Sequence, residues 1–90
     1  MNKSLAKKIL EYTAIFEPAE EGGYTVSIPT LPGCISEGDT FEEAVAMIKD
    51  ALQGYLEVLN QEGKEIPEEK SDVIITKVTV DNPSISYASI

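Results

Sequence analysis

Tyr24–Ala44, with the sequence YTVSIPTLPGCISEGDTFEEA, is the stretch that decides the fold. Apolar and polar residues alternate over residues 23–28, which predicts a half-buried strand. Pro29 and Pro32 end this strand, because proline cannot donate a hydrogen bond to a sheet ladder. Residues 34–37 are long enough for a second short strand. The stretch therefore predicts two neighbouring strands joined by a proline-rich turn.

A helix follows the second of these strands. Thr40 and Glu43 have the spacing of a capping box, in which both side chains accept hydrogen bonds from free backbone N–H groups at a helix start. Apolar residues at helical spacing then predict a helix over about Phe41–Gln61, and Gly63 is a candidate C-cap. Gly54 inside the helix costs about 1 kcal/mol relative to alanine. A close contact with the sheet would explain this glycine.

Two further strands complete the predicted fold. Residues 9–17 alternate between two faces and precede a turn-rich loop over residues 18–23, so they predict a first strand that forms a hairpin with the second. Residues 73–80 are rich in β-branched side chains and predict the last strand. The order is β-β-β-α-β. We expect an α+β fold with a mainly antiparallel four-stranded sheet in the order 3-2-1-4, with one helix on one face.

Length and charge limit the possible functions. Ninety residues predict a single domain, residues 1–90, with a core over about residues 9–80 and tails at residues 1–8 and 81–90. The net charge is −9, from sixteen acidic residues against seven lysines, and the chain has no arginine. Nucleic-acid binding requires clustered positive charge, so we expect no direct contact with DNA or RNA. The charge favours a basic protein partner, although a role in solubility alone would also account for it.

The residue types exclude several kinds of active site. The chain has no histidine and one cysteine, Cys34, so catalytic dyads and triads with histidine, histidine-based zinc sites and an intrachain disulfide are excluded. We expect Cys34 to be a small buried apolar residue rather than a nucleophile. No apolar run approaches the length of about 20 residues that spans a bilayer, and no signal-peptide core is present. The default expectation is a cytoplasmic protein without membrane contact.

A set of motifs at fixed spacing resembles the N-terminal domain of HicB-type antitoxins over roughly residues 12–59. The residues that carry the resemblance are Gly22-Gly23-Tyr24-x-Val26, Pro29-x-Leu31-Pro32-Gly33, Gly38-x-Thr40, Glu43-Ala44 and Ala51-Leu52 with Tyr55. The resemblance implies a partial ribonuclease H-like fold and a HicA-type toxin partner, a small basic ribonuclease whose active site the antitoxin covers. Many HicB proteins continue into a DNA-binding domain. Only ten residues follow residue 80 here, which predicts a short form without that domain.

Three hypotheses for the function follow. The first is an antitoxin-like module that binds and neutralises a HicA-type ribonuclease. The second is an orphan oligomeric domain that binds another protein or a small ligand. The third is a degenerate metal-dependent nuclease, with Glu11, Glu17, Glu37 and Asp39 as candidate ligands. Glu11 and Glu17 would lie about 20 Å apart along one strand, too far to share a metal, so we predict no catalytic residue, no metal and no cofactor.

Four acidic residues are candidates for binding the partner. Glu20 and Glu21 lie at the predicted hairpin tip, and Asp39 and Glu42 lie at the predicted helix start. Plain solvation is the alternative for the first pair, and capping with favourable helix-dipole contacts is the alternative for the second.

We also expect a homodimer or a tetramer. The predicted last strand is long and β-branched and would leave an open edge, which invites pairing with another chain. The sheet face opposite the helix would be covered by no local element. Ile75 and Lys77 on the last strand and Ile15 on that face are therefore the predicted oligomer-interface residues.

Overall fold

A computed structural model describes residues 8–69 and 73–84 of the chain. Its elements, in chain order, are β1 (Ile15–Pro18), β2 (Tyr24–Ser27), β3 (Ile35–Gly38) and α1 (Phe41–Gln61). The strands form one antiparallel sheet in the order β1-β2-β3, and α1 packs against β3 and β2. The predicted α+β class is confirmed. The bounds predicted for the second and third strands are each within one residue of β2 and β3, and those predicted for the helix are those of α1.

The strand register assigns the side chains to two faces. Phe16 pairs with Val26, which pairs with Ser36, so these three side chains share the face that α1 covers. Ile15 and Ile35 both pair with Ser27 and lie on the opposite face. This alternation is the period of two that the sequence showed.

The core lies between the sheet, α1 and the loop over residues 28–34. Two hydrogen bonds close this loop: Ile28 N–H donates to the Cys34 carbonyl at 3.0 Å, and Cys34 N–H donates to the Leu31 carbonyl at 3.0 Å. In the closed loop the Leu31 side chain is fully buried. Cys34 is buried, as predicted, and burial raises the pKa of its thiol. The buried residues are Val26, Ile28, Leu31, Cys34, Ala44 and Ile48.

Local hydrogen bonds fix both ends of α1. The Thr40 hydroxyl accepts from Glu43 N–H at 3.0 Å, which confirms the predicted N-cap. The Glu43 carboxylate accepts from Asp39 N–H at 3.0 Å, one residue earlier than in the usual capping box. At the other end Gly63 has φ +71°, and the N–H groups of residues 63 and 64 donate to the carbonyls of residues 60 and 59. This is a Schellman motif, so Gly63 ends the helix as predicted.

The predicted first strand is too long, and the predicted last strand is wrong, since residues 73–80 form no strand. β1 covers only Ile15–Pro18, because β2 offers pairing partners to these four residues alone. Residues 73–80 carry no strand, and Ile74 is 85% exposed and Val78 83% exposed. A high β-propensity yields a strand only where a neighbouring edge pairs with it. The order 3-2-1-4 and the ribonuclease H-like arrangement depend on that fourth strand and are not seen in the described part of the chain.

The contact expected at Gly54 is also absent. A Cβ atom at this position would meet no heavy atom within 4 Å, outside the backbone of its own helix and its chain neighbours. Close packing on the sheet is therefore not the reason for a glycine in the middle of α1. The predicted tails fall for the most part outside the described residues, since residues 1–7 and 85–90 are not described.

The chain that leaves α1 is held against the segment that precedes β1. The Glu69 carboxylate accepts three hydrogen bonds: from Thr13 N–H at 2.6 Å, from the Thr13 hydroxyl at 2.9 Å and from the Thr30 hydroxyl at 3.0 Å. The Tyr12 hydroxyl donates to the Pro67 carbonyl nearby. The backbone hydrogen bond from Thr13 is the main reason that the pKa of Glu69 lies below its ordinary value.

Candidate partner-binding site

An acidic cleft of about 430 Å³ lies where the β1–β2 turn, the end of β3 and the start of α1 meet. We define the acidic cleft by its four carboxylate residues together with Tyr24 and Met47. The carboxylates come from three separate parts of the chain and are those of Glu21, Glu37, Asp39 and Glu43. The fold thus brings together four negative charges that are up to 22 positions apart in the sequence.

Two glycines allow these parts of the chain to meet. Gly23 has φ +77°, and a Cβ atom there would lie 2.5 Å from the Gly38 carbonyl oxygen. A Cβ atom on Gly38 would lie 2.4 Å from the Ala44 nitrogen. The turn, β3 and α1 therefore touch backbone to backbone, at distances that no side chain would permit.

The turn itself is closed by two hydrogen bonds. Ala19 N–H donates to the Gly23 carbonyl at 3.0 Å, and Gly22 N–H donates to the Ala19 carbonyl at 3.0 Å. Glu20 and Glu21 are exposed at the tip of this turn, as predicted. Glu21 faces the acidic cleft, whereas Glu20 does not line it.

Most of the charge in the acidic cleft is not neutralised. Glu43 is used in capping α1, through its hydrogen bond from Asp39 N–H. The side chains of Glu21, Glu37 and Asp39 are exposed and make no hydrogen bond or ion pair within the described residues. Like charges gathered in one cleft raise the local negative potential, which attracts cationic groups.

An aromatic cluster borders the acidic cleft. The ring centroids of Phe16 and Phe41 are 4.7 Å apart and tilted by 46°, and Tyr24 meets Phe41 edge-on at 6.1 Å. Phe41, the first residue of α1, is 47% exposed. Of the three rings, Tyr24 lines the acidic cleft and Phe41 is exposed beside it. An exposed aromatic ring near carboxylates suits an arginine or lysine side chain, which gains from both groups.

The predicted partner-binding residues are thus only partly brought together. Glu21 and Asp39 line the acidic cleft, and Glu42 is exposed in the first turn of α1 outside it. Glu43 and Phe41 are not among the residues predicted to bind the partner, and Glu37 is predicted only as a candidate metal ligand. The signal for Glu37 was its position beside Gly38, where β3 meets the helix start.

The predicted interface residues lie elsewhere. Ile15 and Ile75 line one apolar groove of about 350 Å³, together with Val73 and Pro29. Lys77 is exposed and does not line this groove. The fold therefore brings Ile15 and Ile75 together within one chain.

The carboxylates can attract cations but do not form a metal centre. Within residues 8–69 and 73–84, no group of three or more acidic, cysteine or histidine residues could hold a metal ion. In the same two ranges, no helix has the length and apolar character needed to cross a bilayer. What the described residues show is a cleft lined by four carboxylates, three of them exposed and unpaired.

Comparison with known proteins identifies the family. A family model described as the HicB-like antitoxin of bacterial toxin–antitoxin systems matches residues 12–85. The chain is 40% identical over 74 residues to the UPF0150 protein ssr1765 of Synechocystis sp., covering 82% of this chain and 91% of that protein. It is 38% identical over 65 residues to the UPF0150 protein Ta0767 of Thermoplasma acidophilum, covering 72% of this chain and 94% of that protein.

A third relative carries a functional name. Antitoxin HicB 1 of Photorhabdus laumondii subsp. laumondii is 43% identical over 60 residues, which are 67% of this chain and 39% of that antitoxin. The match to the family model covers most of the chain and includes the acidic cleft, β1 to β3 and α1. The chain belongs to the HicB-like antitoxin family of bacterial toxin–antitoxin systems.

Proposed function

We propose that this protein is an antitoxin that binds and neutralises a small basic ribonuclease of the HicA type. The family supports an antitoxin role. The acidic cleft is the single observation that supports a basic partner, because three of its carboxylates are exposed and unpaired within the described residues. The role is one of binding, without catalysis and without a cofactor.

The acidic cleft would act by competing with RNA. A ribonuclease holds the phosphates of its substrate with cationic side chains. Glu21, Glu37 and Asp39 offer those side chains carboxylates in place of phosphates, and the exposed ring of Phe41 offers them a stacking surface. The predicted residues Glu20 and Glu42 would lie at the rim of the contact and would mainly accelerate association.

Charge reversal in the acidic cleft tests this function. The adjacent reading frames are searched for a small basic protein, which is co-expressed with the native chain and with Glu21→Lys/Glu37→Lys. Its capture and its dissociation constant are then compared between the two chains. We expect the dissociation constant to rise at least a hundredfold and its salt dependence to weaken.

The matched control is Asp50→Lys/Glu57→Lys, which reverses two exposed acidic residues of α1 outside the acidic cleft. An equal loss of affinity in both double variants would show that net charge, and not the cleft, decides binding. No capture of the basic protein by the native chain would contradict the antitoxin function and would favour a domain with another partner.

We further propose that the protein forms a homodimer or a tetramer. The supporting observation is the exposed apolar surface of residues 73–80, of which Ile75 is 60% exposed. Ile75 and Lys77 would lie in the interface, with Ile15 on the neighbouring sheet face. Light scattering at micromolar concentration on the native chain, Ile75→Lys and Ile15→Lys tests this. A monomeric native chain would refute it.

A further inference from the structure

A second groove, of about 330 Å³, runs between the first half of β3 and the second half of α1. We call it the α1–β3 groove, and its walls include Gly33, Cys34, Ile35, Gly54, Tyr55 and Val58. Ile35 is 64% exposed and Val58 50% exposed. Ile35 points to the opposite sheet face and contributes to the groove at the edge of β3, whereas Val58 lies on the α1 wall. An apolar groove with a half-exposed aliphatic side chain on its wall gains free energy when another apolar segment covers it.

Gly54 keeps the α1–β3 groove open. A Cβ atom there would meet no other part of the fold within 4 Å, and Gly54 has no left-handed φ that would require glycine. Glycine in a helix interior is destabilising relative to alanine. Neither packing nor backbone conformation within the described chain requires glycine at position 54. A docked segment that approaches the helix backbone closely would require it.

The α1–β3 groove lies next to an unpaired sheet edge. β3 pairs with β2 on one side, and the sheet ends there among the described residues. The backbone N–H and C=O groups on the outer side of β3 are therefore open to an added strand. Side chains of such a strand that point to the helix side would enter the α1–β3 groove.

Residues 73–80 have the composition of that strand, and we call them the arm. Val78 and Val80 are 83% and 84% exposed, and no residue of the arm makes a backbone hydrogen bond to another element of the described chain. The arm contains Lys77 and no acidic residue, although the chain as a whole carries a charge of −9.

We propose that the arm of a second copy of this chain pairs antiparallel with β3 and fills the α1–β3 groove. This inference rests on the oligomer proposed above and names the surface that receives the arm. In the register that places Lys77 opposite Glu37, Val78 lies opposite Ser36 and Val80 opposite Cys34. Ser36 lies on the helix side of β3, and Cys34, one residue before β3, lines the α1–β3 groove. Val80 would therefore enter the groove, and Val78 would lie beside it on the same side of the sheet.

The donor is a second copy because a chain's own arm starts at the other edge of the sheet. Glu69 is tied to Thr13 and Thr30, and Val73 and Ile75 lie beside Ile15. β1 and β3 are the two opposite edges, about 10 Å apart across β2. An arm that started at β1 would have to cross the sheet to reach β3 of its own chain, whereas reciprocal exchange in a two-fold dimer avoids this crossing.

A disulfide tests the register. In Glu37→Cys/Lys77→Cys the two new cysteines would be opposite each other on neighbouring strands, at a separation that suits a disulfide. We expect a covalent dimer on oxidation, with the 37–77 link identified by mass spectrometry. The control Glu57→Cys/Lys77→Cys has its first cysteine on an exposed position of α1 outside the groove and should give no such dimer.

Each other result of this experiment would overturn the inference. A 37–77 disulfide within one chain would mean that the arm docks on its own β3. Equal dimer yields in both double variants would mean random collision. Cys34 is buried and present in every variant, so it does not distinguish them.

Filling the groove tests the receptor. Gly54→Met would occupy the α1–β3 groove, and we expect its dimer dissociation constant to rise at least tenfold while the helix is preserved. Gln53→Met, at the neighbouring exposed position, should leave the constant unchanged. If Ile15→Lys dissociates the native dimer and Gly54→Met does not, the proposed oligomer stands but its interface is not the α1–β3 groove. That result would overturn the inference. Capture of the basic protein is measured separately on Gly54→Met and Gln53→Met, which leave the acidic-cleft residue Glu37 unchanged, so failure of this inference and failure of the antitoxin function are distinguished.

Discussion

Gly38, the last residue of β3, and Gly54, in the second half of α1, are glycines for opposite reasons. Where β3 meets the start of α1, a Cβ atom on Gly38 would lie 2.4 Å from the backbone nitrogen of Ala44, so close packing requires glycine. In the second half of α1, a Cβ atom on Gly54 would meet nothing within 4 Å, so glycine leaves a groove open. The first half therefore builds a rigid junction that holds the acidic cleft, and the second half leaves an apolar surface uncovered. Glycine therefore marks close contact at Gly38 and open space at Gly54.

The largest effect that we expect is at the tight junction. Gly38→Ala would force a methyl group against the backbone of α1, and we expect a loss of about 3 kcal/mol in the free energy of unfolding. Urea denaturation measures this. The control is Gly33→Ala, where φ is +84° but no atom lies within 4 Å, so only backbone strain of about 1 kcal/mol is expected. Equal losses in the two variants would mean that steric contact is not what Gly38 avoids.

The cap at the same end of α1 should show a smaller effect. Thr40→Ala removes the hydrogen bond accepted from Glu43 N–H, and we expect a loss of about 1 kcal/mol. Glu43→Ala should cost less, and the double variant should be non-additive because both residues belong to one motif. Denaturation midpoints that are unchanged in both single variants would rule out a stabilising role for the cap.

The open half of α1 should respond in the opposite direction. Gly54→Ala adds a methyl group where there is space and improves helix propensity. We therefore expect the free energy of unfolding to rise by about 0.8 kcal/mol. Ala46→Gly, at an exposed position of the same helix, is the matched reversal and should lose a similar amount. A loss of stability in Gly54→Ala would mean that this position is packed after all and would remove the contrast between the two halves.

The smallest effect should be the pH dependence of the connector that leaves the open end of α1. The folded pKa of Glu69 is lowered by its hydrogen bond from Thr13 N–H. Its contribution to stability is therefore present above the ordinary pKa of about 4.3 and is lost as the pH falls through the lowered value.

We accordingly expect the midpoint difference between the native chain and Glu69→Gln to be largest near neutral pH and to shrink under acid conditions. Urea midpoints over a pH series measure it. Glu65→Gln, at an exposed residue without a hydrogen bond in the described residues, should show no such trend. A midpoint difference that grows as the pH falls would contradict a lowered pKa of Glu69 in the folded state.

Part of the candidate site could be predicted from the sequence. Glu21 and Asp39 were expected to bind the partner, since a turn tip and a helix start expose acidic residues. Glu37 and Glu43 were not, because their placement beside Glu21 depends on Gly23 and Gly38, where the β1–β2 turn meets the end of β3 and the start of α1. Nothing local to either segment shows that contact.

The sequence by itself determined the features that depend on neighbours a few positions apart. These are the bounds and cap of α1, the positions of β2 and β3, the burial of Cys34 and the acidic charge, and each follows from capping, alternation or composition. Only the tertiary structure decided that residues 73–80 stay unpaired, that Gly54 faces open space and that four carboxylates share one cleft. The physical reason is that a strand requires a partner edge, and a cleft requires segments distant in the chain to pack together, whereas a helix satisfies its own backbone.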